Sequence, residues 1–266
     1  MRNMKEVCKK IVRYQTQDGQ IRYGLIQGEE VFRLAGDFAA MAAGDFSLTG
    51  EKILLDAVKL LVPVEPTKVV NFGWTYAGHA QETGGQANLS EPFLFLKPLS
   101  SLIATGETIS LPPTTLTNKV ELEGEVALII GKRGKNVTEA EALDYVFGYT
   151  VFNDVTARDL TKSDPQFTRG KGFDTFGPIG PWIVTDLDPS DLKITTTLNG
   201  TIVQQGSTAQ MSLSIPFLIS WISQVMTLEP GDVLALGSPS GTCPMQSGDE
   251  VTVTVAGIGT LVNYVK

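Results

Sequence analysis

Short strand-like runs dominate this chain, and that pattern constrains its fold more than any other feature. From the linker onward they fall at Lys68–Phe72, Pro92–Lys97, Val120–Ile130, Ile179–Val184, Ile194–Leu198, Val233–Leu236, Val251–Val255 and Gly259–Val265. Helical text is sparse. Thr138 and Glu141 have the spacing of a capping box ahead of Ala142, Leu143 and Val146, which predicts a helix start. Pro216 with Phe217, Leu218, Trp221 and Ile222 predicts a proline-initiated helix. Asn199-Gly200, between TTTL and TIVQ, predicts a type I′ hairpin turn. Many strands, few helices and no regular strand–helix alternation define an α+β class, rich in mixed or antiparallel sheet.

The N-terminal part reads differently. Asp18-Gly19 and Gly28-Glu29-Glu30 separate apolar clusters between Lys10 and Leu34, as in a small antiparallel meander. Ile53, Leu54, Ala57, Leu60 and Leu61 sit at helical spacing, predicting a short amphipathic helix over Thr49–Leu61. Pro63 and Pro66 end it, and VPVEP is the best candidate linker, because each proline removes a donor and biases its predecessor toward extended backbone. The expected division is a small β domain, 1–65, and a larger unit, 66–266.

Composition then narrows the function. Lys and Arg number 21 against 29 Asp and Glu, a net charge of −8, with no dense basic tract, so nucleic acid and anionic lipid are poor partners. No run approaches the roughly 18 apolar residues of a membrane span, and the start of the chain lacks the apolar core of a signal peptide. Cys8 and Cys243 form no motif, which suits reduced thiols and a cytoplasmic protein. His79 is the single histidine, so no metal site needing two can be built within one chain.

Four segments carry candidate chemistry. In VELEGEVALII, Glu121, Glu123 and Glu125 share one strand parity with Ala127 and Ile129. The bland reading is a solvated strand face. The alternative is a hard divalent cation that compensates carboxylates where the strand enters the core. FNDVTARD carries Asp154, Arg158 and Asp159; Asp154 and Arg158 fit a helix-surface pair, and Asp154 alone fits an N-cap equally well. In TYAGHAQETGG, His79 and Glu82 are neighbours on a helical turn, in a polar, glycine-flanked segment suited to a lid. In RGKGFDTFGPIGPW, Lys171 lies between glycines that let a ligand approach, although a plain turn also uses them.

Taken in order, NFGWTYAGHAQETGG, ELEGEVALIIGK, GYTVFNDVTARD, RGKGFDTFGPIGPW, LNGTIVQ and LEPGDVLALGSPSG resemble the fumarylacetoacetate hydrolase family from about residue 66 to the C-terminus. The resemblance implies a mixed β-sheet, β-roll catalytic domain. It also implies a divalent cation, Mg²⁺ or Mn²⁺ with Ca²⁺ as a third candidate, held by Glu123, Glu125 and Asp154. His79 and Glu82 match the family's H-x-x-E dyad and Lys171 its active-site lysine. Tyr76, Arg158, Thr175 and Ser238 fall where the family lines its substrate pocket, while Glu121 returns to the bland reading. Thr75, Gly78, Leu122, Thr161, Leu236 and Ser238 depart from common family residues, and they bear on the substrate's distal group.

The implied activity is hydrolysis of a C–C bond in a 2,4-dioxo acid of the acylpyruvate or fumarylpyruvate kind, on a small anionic 2-oxo acid chelated by the metal. Oxaloacetate decarboxylation or tautomerisation, and isomerisation of the 2-hydroxyhepta-2,4-diene-1,7-dioate type, are the alternatives on the same scaffold. A silent metabolite-binding homologue is a lesser one. The family also implies a homodimer.

Overall fold

The computed structural model describes residues 8–86 and 90–266. Its largest sheet has twelve strands, and its continuous path runs Leu48–Leu54, Glu30–Leu34, Ile21–Gln27, Lys10–Gln15, Gly177–Val184, Val146–Asn153, Gly124–Ile130, Val233–Ala235, Val69–Gly73 and Phe93–Lys97. Most neighbours are antiparallel, but Val233–Ala235 runs parallel to Val69–Gly73, so the sheet is mixed. The N-terminal meander is hydrogen-bonded into this sheet through Lys10↔Val184 and Ile11↔Ile183. A second sheet of five strands runs Thr201–Ser207, Lys193–Leu198, Glu250–Val255, Gly259–Val265 and Thr108–Ile109. The architecture is the sheet-rich α+β class that the strand pattern predicts.

The central strand explains the uninterrupted apolar text of EVALII. Val126, Leu128 and Ile130 enter one buried apolar cluster, and Ala127 and Ile129 enter another on the opposite face. A strand covered on both sides needs no polar alternation. At its N-terminal end Gly124 cannot be replaced, since a Cβ there would lie 2.1 Å from Thr196 Oγ1.

Turn chemistry holds where backbone sterics are decisive. Asn199 and Gly200 have φ of 52° and 77°, as a type I′ turn requires. The proline-initiated helix is Ile215–Val225, capped by Ser214, whose hydroxyl accepts the Phe217 N–H at 3.2 Å. Among the described residues no helix is long and apolar enough to cross a membrane.

Two expected helices are absent. Thr49–Leu61 is strand Leu48–Leu54, a 3₁₀ turn Leu55–Ala57 and the short strand Lys59–Leu60. Gly50, at φ 88°, is outside helical space, and Glu51 accepts from Arg22 and Arg33 on neighbouring strands. Cross-strand pairing thus outweighs an accidental helical spacing. After Thr138, the threonine hydroxyl donates to the Glu141 carboxylate instead of capping a backbone N–H, and only a 3₁₀ turn Ala142–Tyr145 forms. Val146 already belongs to the next strand, opposite Ile130.

Candidate active site

The acidic cluster arises where two antiparallel strands end side by side. Gly124 pairs with Asn153, and the Asp154 N–H donates to the Glu123 carbonyl at 2.8 Å, so Glu123, Glu125 and Asp154 converge. One oxygen from each lies within 4.8 Å of the others, and all three residues are buried. The run Val120–Ile130 is broken between Glu121 and Gly124, unlike the single strand expected. The freed backbone donors are satisfied elsewhere: Leu122 N–H by the Cys243 carbonyl at 3.2 Å, Glu123 N–H by Asn153 Oδ1 at 3.0 Å and Gly124 N–H by Gln204 Oε1 at 2.9 Å.

Glu121 corrects the bland reading. It is buried and accepts from Arg158 Nε at 2.7 Å, while Arg158 Nη2 donates to Glu123 Oε1. Arg158 therefore bonds the two glutamates rather than Asp154 four residues before it. Lys171 Nζ donates to Glu123 Oε2 at 2.7 Å and Asp154 Oδ2 at 2.5 Å. The remaining Asp154 oxygen is taken by Lys97 Nζ at 2.6 Å, which also donates to the Val155 carbonyl at 3.0 Å.

These partners set the electrostatics. Burial opposes charge on Glu123, but Lys171 and Arg158 outweigh it and hold the carboxyl well below the usual carboxylate range. Glu125 goes the other way: burial, then the Asp154 and Glu123 carboxylates, push its proton affinity well up. Its bond is the Gly237 N–H at 2.9 Å, with no ion pair among the described residues. Lys171 is held above its ordinary range because Asp154 and Glu123 overcome the cost of burial. Burial dominates at Lys97, and despite Asp154 pushes it down to about 8.

His79 and Glu82 lie on helix Ala77–Thr83, which ends at left-handed Gly84. His79 Nδ1 is 3.6 Å from Glu82 Oε2 and Nε2 is 3.7 Å from Glu123 Oε1, close without hydrogen bonding. Glu82 also accepts the Gly241 N–H, at 3.0 and 3.1 Å, which ties the helix to the SPSG loop. A cavity of about 10 Å³, room for about one water, is lined by His79, Arg158, Lys171 and the three converging carboxylates, among others.

Of the other sequence-predicted residues, Ser238 reaches this cavity, its hydroxyl accepting from Gln204 Nε2 at 2.9 Å and donating to the Gly124 carbonyl at 3.1 Å. Tyr76 is buried outside the lining, its hydroxyl unpartnered among the described residues and its proton affinity raised by burial and then by Glu125. Thr175 stands apart: its hydroxyl accepts the Ser110 N–H at 2.8 Å and it does not line the cavity. Sequence reasoning missed Lys97, Glu121 and Gln204 as parts of the site. A signal existed for Lys97, which shares strand parity with Phe93 and Phe95 in FLFLK, so a lysine shares its side of the strand with two rings.

The donor set fits a hard divalent cation: three carboxylates, no sulfur, and in Glu125 a buried carboxyl whose charge lacks compensation.

The chain is similar to known proteins along nearly its whole length. The family model described as Fumarylacetoacetate (FAA) hydrolase C-terminal matches residues 68–266, and one described as Rv2993c-like, N-terminal matches residues 9–63. Protein Rv2993c of Mycobacterium tuberculosis is 44% identical over 241 residues, 90% of this chain and 90% of that protein. A Bacillus subtilis protein named oxaloacetate tautomerase YisK is 36% identical, covering 99% of this chain and 92% of its own. The crystal structure of a 2-hydroxyhepta-2,4-diene-1,7-dioate isomerase from Mycobacterium marinum superposes with a TM-score of 0.87 at 39% identity, covering 97% of this chain and 98% of that one.

Proposed function

The chain belongs to the fumarylacetoacetate hydrolase family, and from that premise we propose that it is a divalent-cation-dependent hydrolase that cleaves a C–C bond in a 2,4-dioxo acid. The observation that carries the reading is one buried cluster in which Glu123, Glu125 and Asp154 converge beside Lys171 and His79. Glu123, Glu125 and Asp154 would hold the cation, Mg²⁺ or Mn²⁺. When bound it supplies Lewis acidity to a chelating 2-oxo acid.

The chain's own groups then divide the work. Glu82 orients His79, which takes a proton from water as the water oxygen attacks the distal carbonyl. The bond between that carbonyl carbon and the adjacent methylene breaks, its electron pair stays on the methylene as an enolate, and a proton returned there gives pyruvate beside the released acid. Lys171 sets a fixed positive charge against the developing enolate. Arg158, bonded to Glu121 and Glu123, holds the first of the carboxylates in place.

A second reading is tautomerisation or double-bond isomerisation of a 2-oxo acid at the same cluster, supported by the names of the Bacillus and Mycobacterium marinum proteins. Here His79 moves a proton on carbon and no water is consumed. Product analysis separates the readings. Acetylpyruvate with Mg²⁺ should yield acetate and pyruvate in equal amounts. Loss of the enol absorbance of oxaloacetate without any cleavage of acetylpyruvate would reverse the assignment. The reading also keeps a homodimer, which light scattering tests.

A further inference from the structure

Beside the carboxylate cluster the wall of the cavity is aromatic. Trp74, Phe95 and Phe167 line it, and Phe93 joins them. Ring centroids are 4.6 Å apart for Trp74–Phe93 and Phe93–Phe167, 5.7 Å for Phe95–Phe167 and 5.8 Å for Trp74–Phe167, in tilted and edge-on contacts. These rings come from three separate segments, and they stand outside the buried apolar clusters of the fold. Trp74, Phe93 and Phe167 remain partly exposed.

The backbone at Trp74 points the same way. Its φ is 58°, a left-handed conformation that a bulky L-residue avoids. Such strain persists where the surroundings impose it, and it clusters at ligand sites. Here the indole is held under the end of the His79 helix: Nε1 donates to Thr83 Oγ1 at 3.1 Å, and Gly85 packs so closely that a Cβ would lie 2.3 Å from the ring. Trp74 thereby presents its ring to the cavity from the residue next to Thr75.

The cations of this wall face the carboxylate cluster rather than the rings' outer side. Arg158 binds Glu121 and Glu123, and Lys171 binds Glu123 and Asp154 with its ammonium 4.8 Å from the Phe95 centroid. A second carboxylate on the substrate would lose water against ring faces of negative quadrupole, whereas a flat apolar group would meet edges and faces of complementary charge. We propose that this aromatic wall is the subsite for the distal part of the substrate, and that the chain takes 2-oxo acids ending in a flat apolar group, an aryl group above all, in preference to those ending in a second carboxylate. The proposal rests on the reading that the oxo acid is chelated at the carboxylate cluster.

Calorimetric titration of the Mg²⁺-loaded protein with three probes tests it without turnover: oxalate, which offers only the chelate, phenylpyruvate, which adds a ring, and 2-oxoglutarate, which adds a carboxylate. Phenylpyruvate should bind roughly tenfold more tightly than 2-oxoglutarate. Trp74→Ala and Phe167→Ala should each remove that preference while leaving oxalate affinity little changed, and retained oxalate binding also certifies that a variant is folded. Should Trp74→Ala fail to fold, the partly exposed Phe167 decides the matter. Equal or reversed affinity with oxalate still bound, or a preference that survives in the folded variants, overturns the subsite alone. No Mg²⁺-dependent oxalate binding overturns the chelation reading, and the subsite with it.

Discussion

The Thr75 hydroxyl donates to the Leu236 carbonyl at 2.6 Å, and the other end of that same peptide group, the Gly237 N–H, donates to Glu125 Oε2 at 2.9 Å. One peptide unit is thus fixed between the root of the His79 helix and a candidate metal ligand. Hydrogen bonds in series polarise one another, so the hydroxyl strengthens as well as aims the amide. Gly237, at φ 93°, leaves no room for change, because a Cβ there would lie 2.0 Å from Thr75 Oγ1. Thr75→Val keeps the shape and strands a buried carbonyl, which should cost about 1–3 kcal/mol in urea unfolding. It should also weaken Mg²⁺ binding in calorimetry, with Thr75→Ser restoring both. Unchanged Mg²⁺ affinity in the valine variant would show that the peptide unit does not position Glu125.

His79→Ala should lower turnover roughly 10²–10⁴-fold, the usual contribution of a positioned acid–base group. Mg²⁺ and oxalate binding should survive, since the three carboxylates are untouched. No second histidine exists to substitute for it. Activity within threefold of the parent, an outcome read as noise on that scale, would remove His79 from the chemistry.

Lys97→Met removes a buried cation from Asp154 and should destabilise the metal-free protein by about 3–5 kcal/mol, the cost of breaking a buried ion pair. Mg²⁺ should shrink this deficit, because a bound cation compensates the same carboxylate and stabilises the native state by mass action. Thermal unfolding with and without Mg²⁺ measures both effects. A deficit unaltered by saturating Mg²⁺ would mean that the cation does not reach Asp154.

Proton release accompanies cation binding. Burial and the neighbouring carboxylates hold the Glu125 proton affinity high in the metal-free chain. At pH below its raised value the carboxyl is protonated and a cation must displace the proton, so affinity falls as pH falls. Titrations in buffers of different ionisation enthalpy should report net proton release. A pH-independent affinity and no release would contradict the state assigned to Glu125.

Glu123→Gln removes the charge that Lys171 and Arg158 share. Mg²⁺ binding should be lost, while the fold, secured by the two-sided burial of Gly124–Ile130, should persist in far-ultraviolet circular dichroism. Full activity with Mg²⁺ would exclude the cluster as the cation site.

Much of the site was legible because its residues lie in short words whose order and wording resemble the family's. His79 and Glu82 meet because one helical turn brings i and i+3 together. Glu123 and Glu125 lie two apart in the sequence, but Glu123 precedes the strand Gly124–Ile130 and is held there by its backbone bonds to Asp154 and Asn153. Glu121 was not legible in this way, and for Lys97 the only local signal was a lysine on the ring-bearing side of its strand. Each becomes a site residue only through a partner 37 or 57 positions away, Arg158 and Asp154 respectively. Thr175 errs in the opposite sense: its neighbourhood matches the family, but its hydroxyl is turned to Ser110.

The sequence by itself determined the sheet-rich class, the Asn199-Gly200 turn and the proline-initiated helix, because sterics and periodicity act over a few residues, and the three carboxylates were named through the resemblance of their segments to the family. Tertiary structure alone decided that Thr49–Leu61 pairs as strand rather than coiling as helix, that Glu121 is buried under a guanidinium, that two lysines share Asp154, and that four rings from distant segments form one wall. Those outcomes depend on which groups meet after the chain folds back, and on how burial reweights charge: Glu123 and Glu125, two residues apart, end with proton affinities displaced in opposite directions.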